Sequence, residues 1–493
     1  MYIHDLFRSP GRRIAELGEI QVHLYRHDVT LQDYFLPLHL DSLTGARIKS
    51  SAGSVTNQLI TSAVRGANKV NQLRRRRKIK TDVLFCPVPY FERRTENQFL
   101  VRTLLGLAQT DAKILCLLPA GTRCQRDVED GLAEAGRSGQ IIFLDPTPSN
   151  PTEARLCSMA GRVRASSALE RVIQILTPHG LGPSEEVKES FGRTAYYVEA
   201  WERLAPWIEF DSVVARCHWN LLCSAVCRTG LQRGKPVITF QQGVIGTVID
   251  VPITASKYVA FGQPSASLLA EMNRRFFQAV GVPEPSVEYV PGGSLFDTLT
   301  ALPDQFSQQA LLLMDLPVAP SDLEDNESQG RALLELAEKL LAADLPLRRL
   351  VIRPHPYWNN LDLEACMRLV REHPTRCELS HPAWSLEDDL RRSSVVVGIW
   401  SGALTVASAC GLPTIFLETE QGFKTADLNC FSPRQTLLPD AAFCEISKML
   451  TNRNAYAEAR METLRNAREY YSGGANLDFS GTFFARLLGS KSA

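Results

Sequence analysis

Residues 394–418 read SVVVGIWSGALTVASACGLPTIFLE. Between Val395 and Leu417 there is no charged residue, and a helix of that length is enough to cross a bilayer. The interior of the stretch argues against such a span. Gly398, Gly402 and Gly411 interrupt it, and Pro413 stands where the helix would have to continue without an N–H to donate. The better parse is a strand at 394–397, a turn at 398–402, a buried helix at 403–409, a turn at Gly411 and a strand at 414–417. A βαβ unit covered on both faces reads as a near-continuous apolar run. The stretch therefore predicts a parallel sheet rather than a membrane span.

Working outward, the same alternation appears on both sides. Strands are expected at 82–88, 113–119, 140–145, 212–216, 236–240, 257–262 and 287–293. Helices are expected at 125–136, 187–205, 218–230 and 264–280. A seam follows at 297–308, and the pattern restarts with strands near 310–317 and 349–356 and helices at 330–343 and 362–372. Two helices, 440–450 and 454–472, close it, the second expected to pack back across the seam. Regular alternation of this kind predicts helices covering parallel sheets. Two α/β units with a cleft between them is the economical architecture. The segments are 1–80, an extension whose pattern assigns no element; 81–300; 301–475; and 476–493, a Gly/Ser-rich tail.

Composition narrows the function classes. The chain has 493 residues, 44% hydrophobic and 22% charged, which excludes wholesale disorder. Lys plus Arg and Asp plus Glu are both 54, so there is no basic excess of the kind a nucleic-acid binder carries. The 12 cysteines form no CxxC pair and no zinc spacing, so neither a metal nor a bound cofactor is expected. The opening MYIHDLFRSPGRR lacks an apolar signal core, and a reducing, cytoplasmic setting is expected. Arg74–Arg77, Lys78 and Lys80 form the one strong charge block. It reads as a solvated helix end or as a patch for an anionic membrane surface or polymer, so membrane association is expected to be peripheral at most.

The residues fit for chemistry cluster at strand ends. Arg353-Pro354-His355-Pro356 follows one strand: a guanidinium pairs phosphate oxygens bidentately, and an imidazole donates or titrates near neutral pH. Gly398–Gly402 leads into a helix whose N-terminus favours an anion, with Ser401 as a helix cap or a phosphate donor. Glu418 ends the next strand, where a carboxylate can bind ribose hydroxyls. Trp400 is suited to stack on a base or to fill core. Arg353, His355, Ser401 and Gly402 are expected to face one pocket, with Glu418 nearby. Removing Arg353 or His355 is expected to spare the unliganded fold. In the other half, Gln241-Gln242-Gly243 suggests a loop facing the cleft, while Gly292–Ser294, Asp211, His218 and Asn220 carry no sharper assignment. Ser385 and Asp388 form a capping-box pattern.

Taken in order, KPVITFQQGVIG, KYVAFG, VEYVPGGSLFD, RLVIRPHP and SSVVVGIWSGALTVASACGLPTIFLE resemble bacterial surface-polysaccharide glycosyltransferases of the GT-B fold. Capsule-synthesis enzymes are among these, and polysialyltransferases and CDP-glycerol glycerophosphotransferases are similar in layout. The resemblance covers roughly residues 205–425. It implies two Rossmann-like units facing a cleft, with 81–300 as acceptor unit and 301–475 as nucleotide-sugar unit. By the same resemblance His355 and Ser401 contact the donor phosphate with Arg353 assisting, no metal is needed, and the acceptor is a glycan or lipid-linked glycan of capsule, O-antigen or exopolysaccharide type. This chain departs from the family's QHG by placing Gln242 in the histidine position, and glutamine is no base. Alternatives are transfer of glycerol phosphate or another alditol phosphate, 2-epimerisation of a nucleotide sugar, and a non-catalytic scaffold for glycan assembly.

Overall fold

The structure is a computed structural model. It describes residues 21, 22, 24–26, 78–87, 94–118, 123–137, 139–146, 151–177, 185–219, 221–241, 250–293, 302, 306–314, 323–354, 360–381, 384–399, 401–418, 436–471 and 480–489. The first unit contains β1 (Ile79–Cys86), α1 (Arg94–Ala108), β2 (Ile114–Leu117), α2 (Arg123–Glu134), β3 (Ile141–Leu144), α3 (Pro151–Leu176) and α4 (Glu185–Leu204). It continues with β4 (Ile208–Ala215), α5 (Leu221–Gln232), β5 (Val237–Phe240), β6 (Lys257–Ala260), α6 (Gln263–Val280) and β7 (Glu288–Pro291). The second contains β8 (Gln309–Leu313), α7 (Leu323–Ala342), β9 (Arg349–Arg353), α8 (Asn360–Glu372), β10 (Cys377–Leu379) and α9 (Leu386–Leu390). It ends with β11 (Val395–Gly398), α10 (Gly402–Ala409), β12 (Thr414–Leu417), β13 (Thr436–Leu437), α11 (Pro439–Thr451), α12 (Arg453–Tyr470) and α13 (Gly481–Leu488).

Two separate sheets result. The first runs β3-β2-β1-β4-β5-β6-β7 and the second β10-β9-β8-β11-β12-β13. Every pairing is parallel. Counted within each unit, both follow the doubly wound order 3-2-1-4-5-6, and the first adds a seventh strand. The fold class is the one expected from sequence: α/β, with two Rossmann-like units as in GT-B. The order reverses between β1 and β4 and between β8 and β11, so crevices open at the carboxyl ends of those pairs.

The central strands β2, β5, β8, β11 and β12 are buried along their whole length. This is why 395–417 carries no charge: β11 and β12 are buried along their length, and α10 buries Leu404, Thr405, Ala407, Ser408 and Ala409. Among the described residues no helix is long and apolar enough to cross a membrane. β9 stops at Arg353 because Pro354 has no N–H to extend the ladder.

The sequence reading missed several elements. α3 and α1 were not named in it. α3 packs on α4 with almost no room: a Cβ on Gly161 would lie 3.1 Å from the Tyr196 backbone nitrogen. Backbone-to-backbone contact of this kind leaves little apolar periodicity to read. The tail at 476–493 also differs from expectation. Residues 481–488 form α13, which Ser480 caps and which buries Phe483, Phe484 and Leu487. Its first N–H, from Gly481, donates to Gln109 Oε1 at 2.9 Å, so it docks just after α1 of the first unit. The Gly/Ser flanks masked a short amphipathic helix.

α12 likewise returns to the first unit. Tyr470 and Tyr471, both buried at its end, set their rings 6.2 and 5.7 Å from Phe261. The strand–helix alternation restarts on schedule, but the last two helices close onto the unit that precedes it.

Candidate functional site

The carboxyl edge of the second sheet is built around Leu313. It pairs with Arg353 on one side, and Val397, one residue before Gly398, pairs with Leu312 on the other. Gly398 is required by close packing: a Cβ there would meet Leu313 O and Leu404 Cδ1, both at 3.2 Å. The chain then turns into α10. Ser401 is its N-cap, with extended backbone (φ −149°), and its hydroxyl oxygen accepts the Ala403 N–H at 3.2 Å. The Leu404 N–H donates to Ser401 O at 3.0 Å. This leaves the Gly402 N–H and the Ser401 hydroxyl proton at the positive end of a helix that starts beside the β8–β11 switch point. On the other side of β11, Glu418 follows β12 and donates its N–H to Leu437 O at 2.8 Å, which fixes its backbone at the sheet edge.

Arg353 is held differently from the expectation. Two strand spacings separate β9 from β11, about 10 Å, and the guanidinium is engaged on the far side of β9. Its Nη1 ion-pairs with Asp389 Oδ2 and donates to Ser380 Oγ at 3.0 Å. Both terminal nitrogens also approach Trp384 O, at 3.4 and 3.3 Å. Ser380 in turn donates to the same Asp389 oxygen at 2.6 Å. Asp389 is 1% exposed and the Arg353 side chain 24% exposed. A buried carboxylate thus anchors the arginine and orients β9 against β10 and α9. The expectation that Arg353 can be removed without harm to the fold is therefore corrected: its loss would strand a buried charge. His355 and Trp400 lie outside the described residues. The structure thus brings Ser401, Gly402 and Glu418 to one edge and ties Arg353 to the neighbouring β9–β10 corner.

In the first unit, Gln241 is also a structural clamp and not a residue open to the cleft. It is 1% exposed, and its Oε1 accepts the Phe261 N–H at 2.8 Å, joining the ends of β5 and β6. Gln242, Gly243, Ser294 and Asn220 lie outside the described residues. Gly292 and Gly293 prolong the ladder by donating to Ala260 O and Phe261 O. Asp211 is exposed and pairs with Lys235 at 3.0 Å.

His218, just past β4 and so beside the β1–β4 switch point, is 2% exposed. Burial pushes its pKa down to about 3, against a weaker opposing pull from the Asp250 backbone. It is neutral at physiological pH, with its ring 5.6 Å from that of Tyr258. Sequence reasoning had singled out His218 without seeing its burial, because one histidine after a strand gives no signal of depth. Ser385 and Asp388 form the expected capping box on α9. Arg74–Arg77 lie outside the described residues, while Lys78 and Lys80 both reach Glu209, at 2.7 and 3.5 Å.

No family model and no curated protein matches the chain. Among solved structures, Anabaena HepE in complex with UDP-glucose is similar at TM-score 0.46 and 10% identity, over 83% of this chain and 98% of that one. A glycosyltransferase from Rickettsia africae gives TM-score 0.46 and 10% identity over 83% and 99%. The UDP-GlcNAc 2-epimerase from Neisseria meningitidis bound to UDP-GlcNAc gives 0.43 and 13% over 84% and 100%. Likeness this distant carries no argument about chemistry, and the fold reading stands on the strand orders above.

Proposed function

We propose that the chain is a GT-B glycosyltransferase that moves a sugar from a nucleotide-sugar donor to a surface polysaccharide acceptor of capsule, O-antigen or exopolysaccharide type. The observation that carries this reading is the capped start of α10 at the β8–β11 switch point, where Gly398 lets the turn approach closely. A departing diphosphate there would take the Gly402 N–H, the Ser401 hydroxyl proton and the helix dipole. Such donors stabilise charge as it develops at the leaving group, and they need no reorganisation during the reaction. Glu418 stands one strand over, in the place suited to ribose hydroxyls. His355, two residues past β9, is assigned to the same phosphate.

Arg353 enters this reading as a positioning residue. Asp389 and Ser380 fix the end of β9, two residues before His355. The acceptor would be met by the first unit, where the Gln241 clamp fixes the chain immediately before Gln242. Any membrane contact would be peripheral.

The test is incubation with a panel of nucleotide sugars, reading nucleotide release with and without added glycan acceptor. Acceptor-dependent release supports transfer. Acceptor-independent conversion of the sugar would indicate epimerisation, and release from CDP-glycerol alone would indicate alditol-phosphate transfer. Binding without turnover would leave a scaffold.

A further inference from the structure

At the opposite, amino-terminal edge of the second sheet lies a group of cations that the proposed transfer does not use. Arg348 immediately precedes β9 and Arg349 opens it, Arg391 and Arg392 lie between α9 and β11, and Gln309 opens β8. With Phe306 and Ser307 they line an open pocket of about 580 Å³. Two carboxylates face these guanidinium groups. Glu378 of β10 pairs with Arg349 and lies 3.6 Å from Arg392, and Glu387 pairs with Arg391. Among the described residues, four cations against two anions leave an excess of two positive charges.

The donors are set in place but unfilled. The Arg348 side chain makes no hydrogen bond or ion pair among the described residues. Among the described residues, Arg392 Nη1 and Gln309 Nε2 are both buried without a hydrogen-bond acceptor, and Gln309 is only 8% exposed. Arg392 is held by its stack on Trp384, 4.2 Å from the ring centroid, and by Ser307 Oγ, which donates to Arg392 O at 2.7 Å. A buried amide N–H without an acceptor is unfavourable until one arrives. One kept in the lining of a cationic pocket is explained by an anion that fills it.

We propose that this pocket binds a phosphate group, as a monoester or diphosphate. Donors arriving from β8, the start of β9 and the segment before β11 surround a tetrahedral acceptor better than a planar carboxylate, which offers only two oxygens. Guanidinium groups pair phosphate oxygens in bidentate fashion, and a phosphate dianion matches the charge excess. Strands of four to five residues separate this pocket from the start of α10 by roughly 15 Å, so it is a second site on the same unit. The phosphate belongs either to a soluble ester or to a lipid headgroup.

The experiment uses the full chain carrying Gly402→Asp, so that the α10 site contributes nothing to the signal. Pyrophosphate is titrated calorimetrically at constant ionic strength, and flotation is measured with phosphatidylcholine vesicles with and without phosphatidic acid. Saturable uptake in solution assigns a soluble ester, and uptake only on phosphatidic acid vesicles assigns a lipid phosphate. In either arm Arg348→Gln and Gln309→Leu are each expected to weaken binding at least tenfold. Gln309→Leu should also raise the melting temperature without ligand, because the orphaned amide is gone. No saturable uptake in either arm, or undiminished uptake in both variants, overturns the proposal. Because the α10 site is disabled throughout, neither result bears on the transferase reading.

Discussion

Replacing Arg353 with alanine would leave Asp389, 1% exposed, without its cation. Breaking a buried pair from one side costs about 3–5 kcal/mol, and urea denaturation of Arg353→Ala should show a loss of that order. The double change Arg353→Met with Asp389→Leu should recover most of it, since neither charge is then left alone. Arg353 at the end of a strand was legible in the sequence; its buried partner was not. The two residues are 36 positions apart, and nothing local marks Asp389 as more than one acid in a capped helix. His218 makes a second prediction. Its native pKa, about 3, lies below the ordinary histidine value of 6.5. Between those values the unfolded chain binds a proton that the native state refuses. Stability should therefore be unaffected above about pH 6.5 and fall by about 1.4 kcal/mol per pH unit below it. His218→Leu should flatten that limb of the stability–pH curve, and an unchanged slope would show that other groups govern it.

β11, α10 and β12 were the most legible elements because full burial of the two strands and burial of most of α10 left their composition almost purely apolar, with glycine and proline marking each turn. Ser401 was legible as a cap for the same local reason: a hydroxyl before a helical run accepts a free N–H. Its replacement by alanine should cost about 0.5–2 kcal/mol of stability, measured by thermal unfolding, with a smaller loss of nucleotide affinity because the Gly402 N–H remains. α3 was illegible because its contact with α4 is made by backbone at Gly161. Small residues enable such contacts without an apolar stripe, and a bulky side chain there, as in Gly161→Leu, should destabilise by about 1–3 kcal/mol through overpacking.

At the scale of the whole molecule, the restart of alternation after the seam correctly foretold a second sheet, whereas the destination of the last helix could not be read. α13 is eight residues long, and only its burial of Phe483, Phe484 and Leu487 shows that it docks. Phe484 is 0% exposed, so Phe484→Ala should cost about 3–5 kcal/mol and lower the melting temperature, although the residue lies beyond the second sheet. The two units are thus held together by the chain's final turns, with α12 bringing Tyr470 and Tyr471 against Phe261. The central claim, that the start of α10 is the phosphate site of a nucleotide-sugar enzyme, is tested most directly by thermal shift with UDP, GDP, CDP and CMP on the parent and on Gly402→Asp. A carboxylate at the helix start suits the dipole and should preserve the unliganded fold, but it would repel a phosphate. The account predicts that one nucleotide, at a hundredfold excess over its Kd, stabilises the parent by about 2.7 kcal/mol and leaves the variant's melting temperature unmoved. Equal shifts in both proteins, or none in the parent with any nucleotide, would contradict it.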